Sequence, residues 1–187
     1  MKYEYLMKFR YEPFATPVHK NFLSMPRLID LKEAEEEIGY QFPSELREFY
    51  QSFSGGRIRE SKGGNLEDYN TSMILPPKVV ATFHNAIIEA LDTPPDTPIE
   101  CDGMYMDDSI LDMFEPGDIP FFDIIQGSRY LVLKPNSENP NAVWYMSNNI
   151  KIEDSFEKFI WNLYHKSPSY FEKIIEDQFN IQNNLYQ

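Results

Sequence analysis

The sequence has one cysteine, Cys101, and only three histidines, His19, His84 and His165, set far apart. A lone thiol excludes an internal disulfide and a Cys-rich zinc site. The histidine spacing offers no metal-ligand pair. There is no Gly-rich phosphate loop, no G-x-S-x-G elbow and no H-E-x-x-H pair. No apolar run reaches the length of a signal-peptide core or a membrane span, so a reducing cytoplasm is the expected setting. Basic residues are scarce: 17 Lys and Arg stand against 30 Asp and Glu, giving a net charge of −13 and a pI near 4.6. Nucleic-acid readers need a basic face to displace counterions, and anionic lipid makes the same demand. Neither a nucleic acid nor a membrane is therefore expected as a direct partner. Catalytic residues, metals and cofactors are expected to be none.

Aromatics are plentiful, at 15% of 187 residues, which excludes a disordered chain. The length suits a single domain over 1–187. Tyr3, Tyr5, Met7, Phe9 and Tyr11 alternate with charged residues and predict a strand over 2–12, with Leu6 breaking the pattern. The proline-rich stretch to Arg27 predicts an irregular connector. Asp30 is placed to cap a helix ending at Gly39, and a second helix runs from Ser44 until Gly55-Gly56 stops it. A polar loop over 57–72, a short strand at Met73–Leu75 and a helix through Val79, Val80, Phe83 and Ile87 follow. Asp107–Phe114 reads as one or two helical turns. Beyond Ile119, the runs IPFFDII, RYLVLK and NAVWYMS predict successive antiparallel strands, the first two joined by a turn at Gln126-Gly127-Ser128. Asp154 or Ser155 caps the next helix, and Ser167-Pro168 opens a last one over 168–182. The fold class is α+β: a mostly antiparallel sheet with an N-terminal helical pair and C-terminal helices packed against it.

The order of these motifs resembles the SUKH superfamily, bacterial toxin-immunity proteins related to fungal cell-wall-synthesis regulators. Glu35, Gly39, Phe42, Pro43, Phe49, Tyr50, Gly55 and Gly56 match its opening helical pair, with Ser54 where asparagine is common. Pro116, Gly117, Ile119, Pro120, Phe121, Gly127, Leu131 and Val132 match its later block. Trp144, Tyr145, Ser155, Phe156 and Phe159 match its closing strand and helix. The resemblance covers about 29–163, leaving the first strand and last helix as additions. It implies a binding module with no shared catalytic constellation, and for many members a cognate toxin domain as partner. The alternative it leaves open is an intracellular scaffold or regulator.

The charge is not spread evenly. Between Val79 and Ser128 lie eleven acids and no Lys or Arg; the remaining chain holds 19 acids against 17 bases, a net of −2. Such a concentration steers a basic partner, whereas hydrated acidic loops also simply resist association. A nuclease-like toxin has a basic cleft, and carboxylates can sit where its phosphates would. Tyr105, Asp107, Asp108, Asp112 and Glu115 are the expected docking patch. Met104, Met106, Met113 and Phe114 read as core residues before they read as anchors. Asp107, Asp108 and Asp112 lack the spacing of a Ca²⁺ loop. Glu35, Glu36 and Glu37 read as a solvated helix face before they read as a contact surface, His84 as a partly buried, hydrogen-bonded histidine, and Trp144 and Trp161 as core or rim.

Overall fold

The computed structural model describes residues 2–11, 21–58, 72–92, 113–124, 129–147, 150–166 and 170–185. Among them, eight strands form one sheet in strict chain order. They are β1 (Arg10–Tyr11), β2 (Phe22–Ser24), β3 (Gly55–Arg57), β4 (Met73–Ile74), β5 (Ile119–Asp123), β6 (Tyr130–Leu133), β7 (Val143–Tyr145) and β8 (Lys151–Glu153). β1 pairs with β2 in parallel, and every other neighbouring pair is antiparallel. The helices are α1 (Leu28–Ile38), α2 (Ser44–Ser52), α3 (Pro77–Asp92), α4 (Phe156–His165) and α5 (Tyr170–Leu185). The α+β architecture expected from the sequence is the one observed.

The strand expected over 2–12 is mostly a 3-10 helix, Glu4–Phe9, that leads into β1. The reason lies in Leu6, the residue that broke the alternation. A 3-10 helix has three residues per turn, so positions 3, 6 and 9 share a face. Tyr3 and Leu6 are fully buried and Phe9 packs against the core. Period three takes in the fully buried Leu6, which period two leaves out, while Tyr5 and Met7 stay partly buried against the core. The expected irregular connector likewise contains β2. β8 was not foreseen.

Each helix end follows from local chemistry, though not always from the residue expected. Asp30 does not cap α1: it lies within the first turn, buried, with Arg27 Nε at 3.3 Å and Lys78 Nζ at 3.6 Å. Gly39 closes α1 in the left-handed conformation, φ 80°, as expected. Pro43 precedes α2 and has no side chain to cap it, so Asn141 from the β6–β7 connection accepts from Glu45 N–H at 3.0 Å. Ser155 caps α4 by accepting from Lys158 N–H at 3.2 Å. The Glu45 carboxylate of α2 reinforces that cap, accepting from Ser155 Oγ at 2.7 Å and Glu157 N–H at 2.8 Å.

Gly55 and Gly56 do not stop α2, which ends before Phe53; they form β3 itself. Both have strongly positive φ, 139° and 135°. A Cβ on Gly56 would overlap the Phe22 carbonyl of β2, and one on Gly55 would stand 2.8 Å from the Ile74 carbonyl of β4. Two glycines let three strands approach through bare backbone.

β5 and β6 are buried on both faces along almost their whole length. A bulge between Pro120 and Phe122 turns both phenylalanines inward. Phe121 and Phe122 meet Phe159 of α4 at 5.7 and 5.3 Å, Phe121 meets Phe156 at 5.2 Å, and Phe122 meets Phe171 of α5 at 5.8 Å. Phe156 in turn reaches Phe49 of α2 at 5.6 Å, so a line of ring edges joins four elements. α1 packs beside α3, which lies against β5.

Candidate functional site

Of the expected docking patch, Tyr105, Asp107, Asp108 and Asp112 lie outside the described residues, as do Met104 and Met106. Glu115 is described, together with the turn leading from it into β5. Asp118 builds that turn. Its N–H donates to the Glu115 carbonyl at 3.0 Å while its Oδ2 accepts from Glu115 N–H at 3.0 Å. Gly117 between them takes φ 90°. The Glu115 side chain projects outward, about half exposed, and holds Lys134 Nζ at 2.7 Å. The same ammonium stands 3.9 Å from Asp118 Oδ1, and the three groups border a small cleft of about 170 Å³.

Asp118 is almost fully buried. Burial raises its pKa from 3.8 to about 6, against the opposing pull of the Glu115 N–H and Lys134. One of the eleven acids in the charged segment is thus turned inward and serves the fold. Behind it lies His84 of α3, buried more fully than expected. A carbonyl can only accept, so the 2.9 Å contact from His84 Nδ1 to the Asp118 carbonyl fixes the proton on Nδ1. Nε2 then accepts from the Tyr40 hydroxyl at 3.2 Å. Burial lowers the His84 pKa, the Asp118 carbonyl partly opposing, and raises that of Tyr40 to about 12. His84 is therefore a neutral strut between the α1–α2 link and the Glu115 turn.

Two further expectations are corrected here. Met113 is 42% exposed and not in the core, whereas Phe114 beside it is buried against Phe83 and Tyr130, at 5.5 and 6.0 Å. The backbone turns between these neighbours, so only one side chain can face inward. Glu35 is not a solvated residue: its Oε1 accepts from Phe42 N–H at 3.1 Å and from Arg47 Nε at 2.8 Å, which ties the exit of α1 to α2. Glu36 and Glu37 are exposed, as expected. Lys134 went unread because its role depends on β5 and β6 lying side by side; no local spacing announces it.

Among the described residues no group of three or more His, Cys, Asp or Glu is arranged to hold a metal ion. No described helix is long and apolar enough to cross a membrane. A helix-flanked, mostly antiparallel sheet makes the chain an α+β protein. It belongs to the SMI1/KNR4 family (SUKH-1), whose family model matches residues 26–162. No curated protein matches the chain. The family is one of immunity and regulatory proteins.

Proposed function

We propose that this protein is a cytoplasmic immunity protein that binds one cognate toxin domain and blocks it by steric and electrostatic occlusion, without chemistry of its own. The observation that carries this reading is the run of eleven acids without a base over residues 79–128, in a chain whose remainder is close to neutral. A basic, nuclease-like domain is the partner such a field favours. Family membership supports it. The docking patch is Tyr105, Asp107, Asp108, Asp112 and Glu115, with Asp118 excluded because its carboxylate faces inward.

Glu115 supports the patch in a specific way. Its carboxylate is held by Lys134 beside a turn braced by Asp118 and His84, so its position is fixed before a partner arrives. Fixed charges orient an encounter better than mobile ones. The test is co-expression with the toxin domain encoded beside it, scored for survival. Reversal of Asp107, Asp108 and Asp112 to lysine abolishes protection while thermal stability stays unchanged. Association between the purified pair slows steeply as salt rises from low to physiological strength. Protection that survives the triple reversal refutes the assigned patch, and salt-independent association refutes the electrostatic mechanism.

A further inference from the structure

Trp161 is a large aromatic that the fold leaves in the open. On α4 the residues Phe156, Phe159, Ile160 and Leu163 face the core, while Trp161 falls on the opposite side, 49% exposed. Its indole is held from two directions. His165, one turn further along the helix, stacks on it at 3.6 Å and 25°, and its Nδ1–H donates to the Trp161 carbonyl at 3.0 Å. Tyr5 of the 3-10 helix lies 5.2 Å from the indole and 5.6 Å from the imidazole. Nearly equal distances to two rings stacked 3.6 Å apart put Tyr5 beside the stack, not above it. One indole face is therefore covered by the imidazole and one edge by the phenol ring, while the second face is free of both. Side chains on a helix lean toward its N-terminus, so that face looks over the turn carrying Glu157 and Lys158. There it lines a cleft of about 330 Å³, whose other walls are Lys2, Tyr5, Ser155, Glu157 and Lys158.

The charges around the cleft cancel. Glu48 and Glu157 hold Lys2 at 2.9 and 3.0 Å, Glu153 holds Lys158 at 2.7 Å, and Glu45 accepts from the first turn of α4. Residues 2–11 and 150–166, taken with Glu45 and Glu48, carry six bases and six acids. An anion entering this cleft would meet no ammonium without a carboxylate partner, and a cation no carboxylate to spare. What the cleft keeps is hydrogen-bonding capacity of both kinds. An ammonium has three donors; Lys2 commits two of them to carboxylates and Lys158 one. Glu157 gives Lys2 only its Oε2, leaving Oε1 without a partner among the described residues. A hydroxyl serves both ends of such a pair, since it donates to the carboxylate and accepts from the ammonium. The Tyr5 hydroxyl is buried and takes no part; only its ring supports the site.

The matching occupant is neutral, flat and apolar on one side, and hydroxylated around its rim. A pyranose ring has this form. Its C–H groups, drawn slightly positive by neighbouring oxygens, are attracted to the negative face of an indole, while its hydroxyls project sideways. We infer that the cleft between the 3-10 helix and α4 binds a neutral saccharide. One ring stacks on the open face of Trp161, adjacent hydroxyls bridge the Lys2–Glu157 pair, and Lys158 donates to a third. The volume lies at the lower end of small-ligand sites, with room for a short saccharide and not for a folded partner. The site shares no residue with the docking patch of the proposed function and does not rest on it.

The probes are cellobiose, maltose and diacetylchitobiose, followed by saturation-transfer NMR. At least one of them binds with a Kd of about 1 mM, and transfer is strongest at its ring C–H protons. Glucuronic acid and glucosamine, the same ring carrying a charge of either sign, bind more weakly than glucose. Trp161→Ala weakens the disaccharide at least about tenfold, the size of a modest hot spot, and Glu157→Ala about threefold. Trp161→Phe, which keeps a smaller ring, weakens it less than Trp161→Ala. Circular dichroism and thermal midpoint of Trp161→Ala stay close to those of the parent, because the indole is half in solvent already. Absence of transfer to every disaccharide at about 20 mM overturns the inference. So does an affinity indifferent to Trp161, tighter binding of either charged sugar than of glucose, or displacement of the disaccharide by an Ala-Pro-Ala peptide at equal concentration.

Discussion

The buried carboxylate at Asp118 makes a quantitative claim about pH. Its pKa, 3.8 in an unfolded chain, is raised by burial to about 6 in the fold. Because the folded value is the higher one, a proton binds the folded protein more tightly than the unfolded chain. The resulting stability is complete below about pH 3.8 and is lost as pH rises through about 6. Across the whole window a shift of about two units corresponds to about 3 kcal/mol, and between pH 7 and pH 5 to about 1.3 kcal/mol. His84 works in the other direction: its lowered pKa gives stability above its ordinary value of 6.5 that is lost on acidification. The two effects mask one another in the native protein. Asp118→Asn separates them, since it keeps an acceptor for the Glu115 N–H, removes the titrating proton and leaves His84 in place. Urea unfolding of both proteins at pH 7 and pH 5 is the assay. The native protein should gain about 1.3 kcal/mol relative to Asp118→Asn on going to pH 5, or about 3–5 °C in thermal midpoint for a chain of this size. A difference that stays constant with pH, or runs the other way, refutes the assignment of Asp118 as a buried, desolvated carboxylate.

Glu45→Ala removes the acceptor of the Ser155 Oγ and Glu157 N–H groups and should cost about 1–3 kcal/mol in urea unfolding. Glu45→Gln, which keeps an oxygen there, should cost less than half of that; equal costs would show the contact to be idle. Gly56→Ala forces a methyl group into the Phe22 carbonyl and should cost at least about 4 kcal/mol, read as loss of soluble, cooperatively unfolding protein. Gly39→Ala, also at positive φ but with nothing within 4 Å of the added carbon, should cost only about 1–2 kcal/mol.

Where burial follows a simple period, the sequence was readable. The stripes of α2, α3 and α4 and the continuous apolar runs of β5 and β6 each carry their own pattern, and Gly39 and Ser155 are local stop and start signals. The 3-10 helix shows the limit of that approach. Tyr3, Leu6 and Phe9 spell a period of three, but five alternating apolar side chains spell a period of two in the same letters, and only the core decides between them. Asp30 failed as a cap and Glu35 as a solvated residue for a related reason, and the inward turn of Asp118 went unread. An acid's role depends on which cation or N–H reaches it, and Lys78, Arg47 and Lys134 arrive from other elements. The glycine pair at 55 and 56 was legible as a motif but not as a strand, because crowding by β2 and β4 has no local trace. Most of the expected docking patch lies outside the described residues; of its members, Glu115 alone has a known setting.

The clamp on the 3-10 helix has a consequence for assembly. Each strand of the meander finds its neighbour in the segment just made, so the sheet can grow in the order of synthesis with small loop-closure penalties. The opening segment is different: Lys2 reaches Glu48 and Glu157, and Lys8 reaches Tyr164. Residues 2–11 therefore gain their full set of contacts only after α4 has been made. They act as a clasp that cannot shut until α4 is in place.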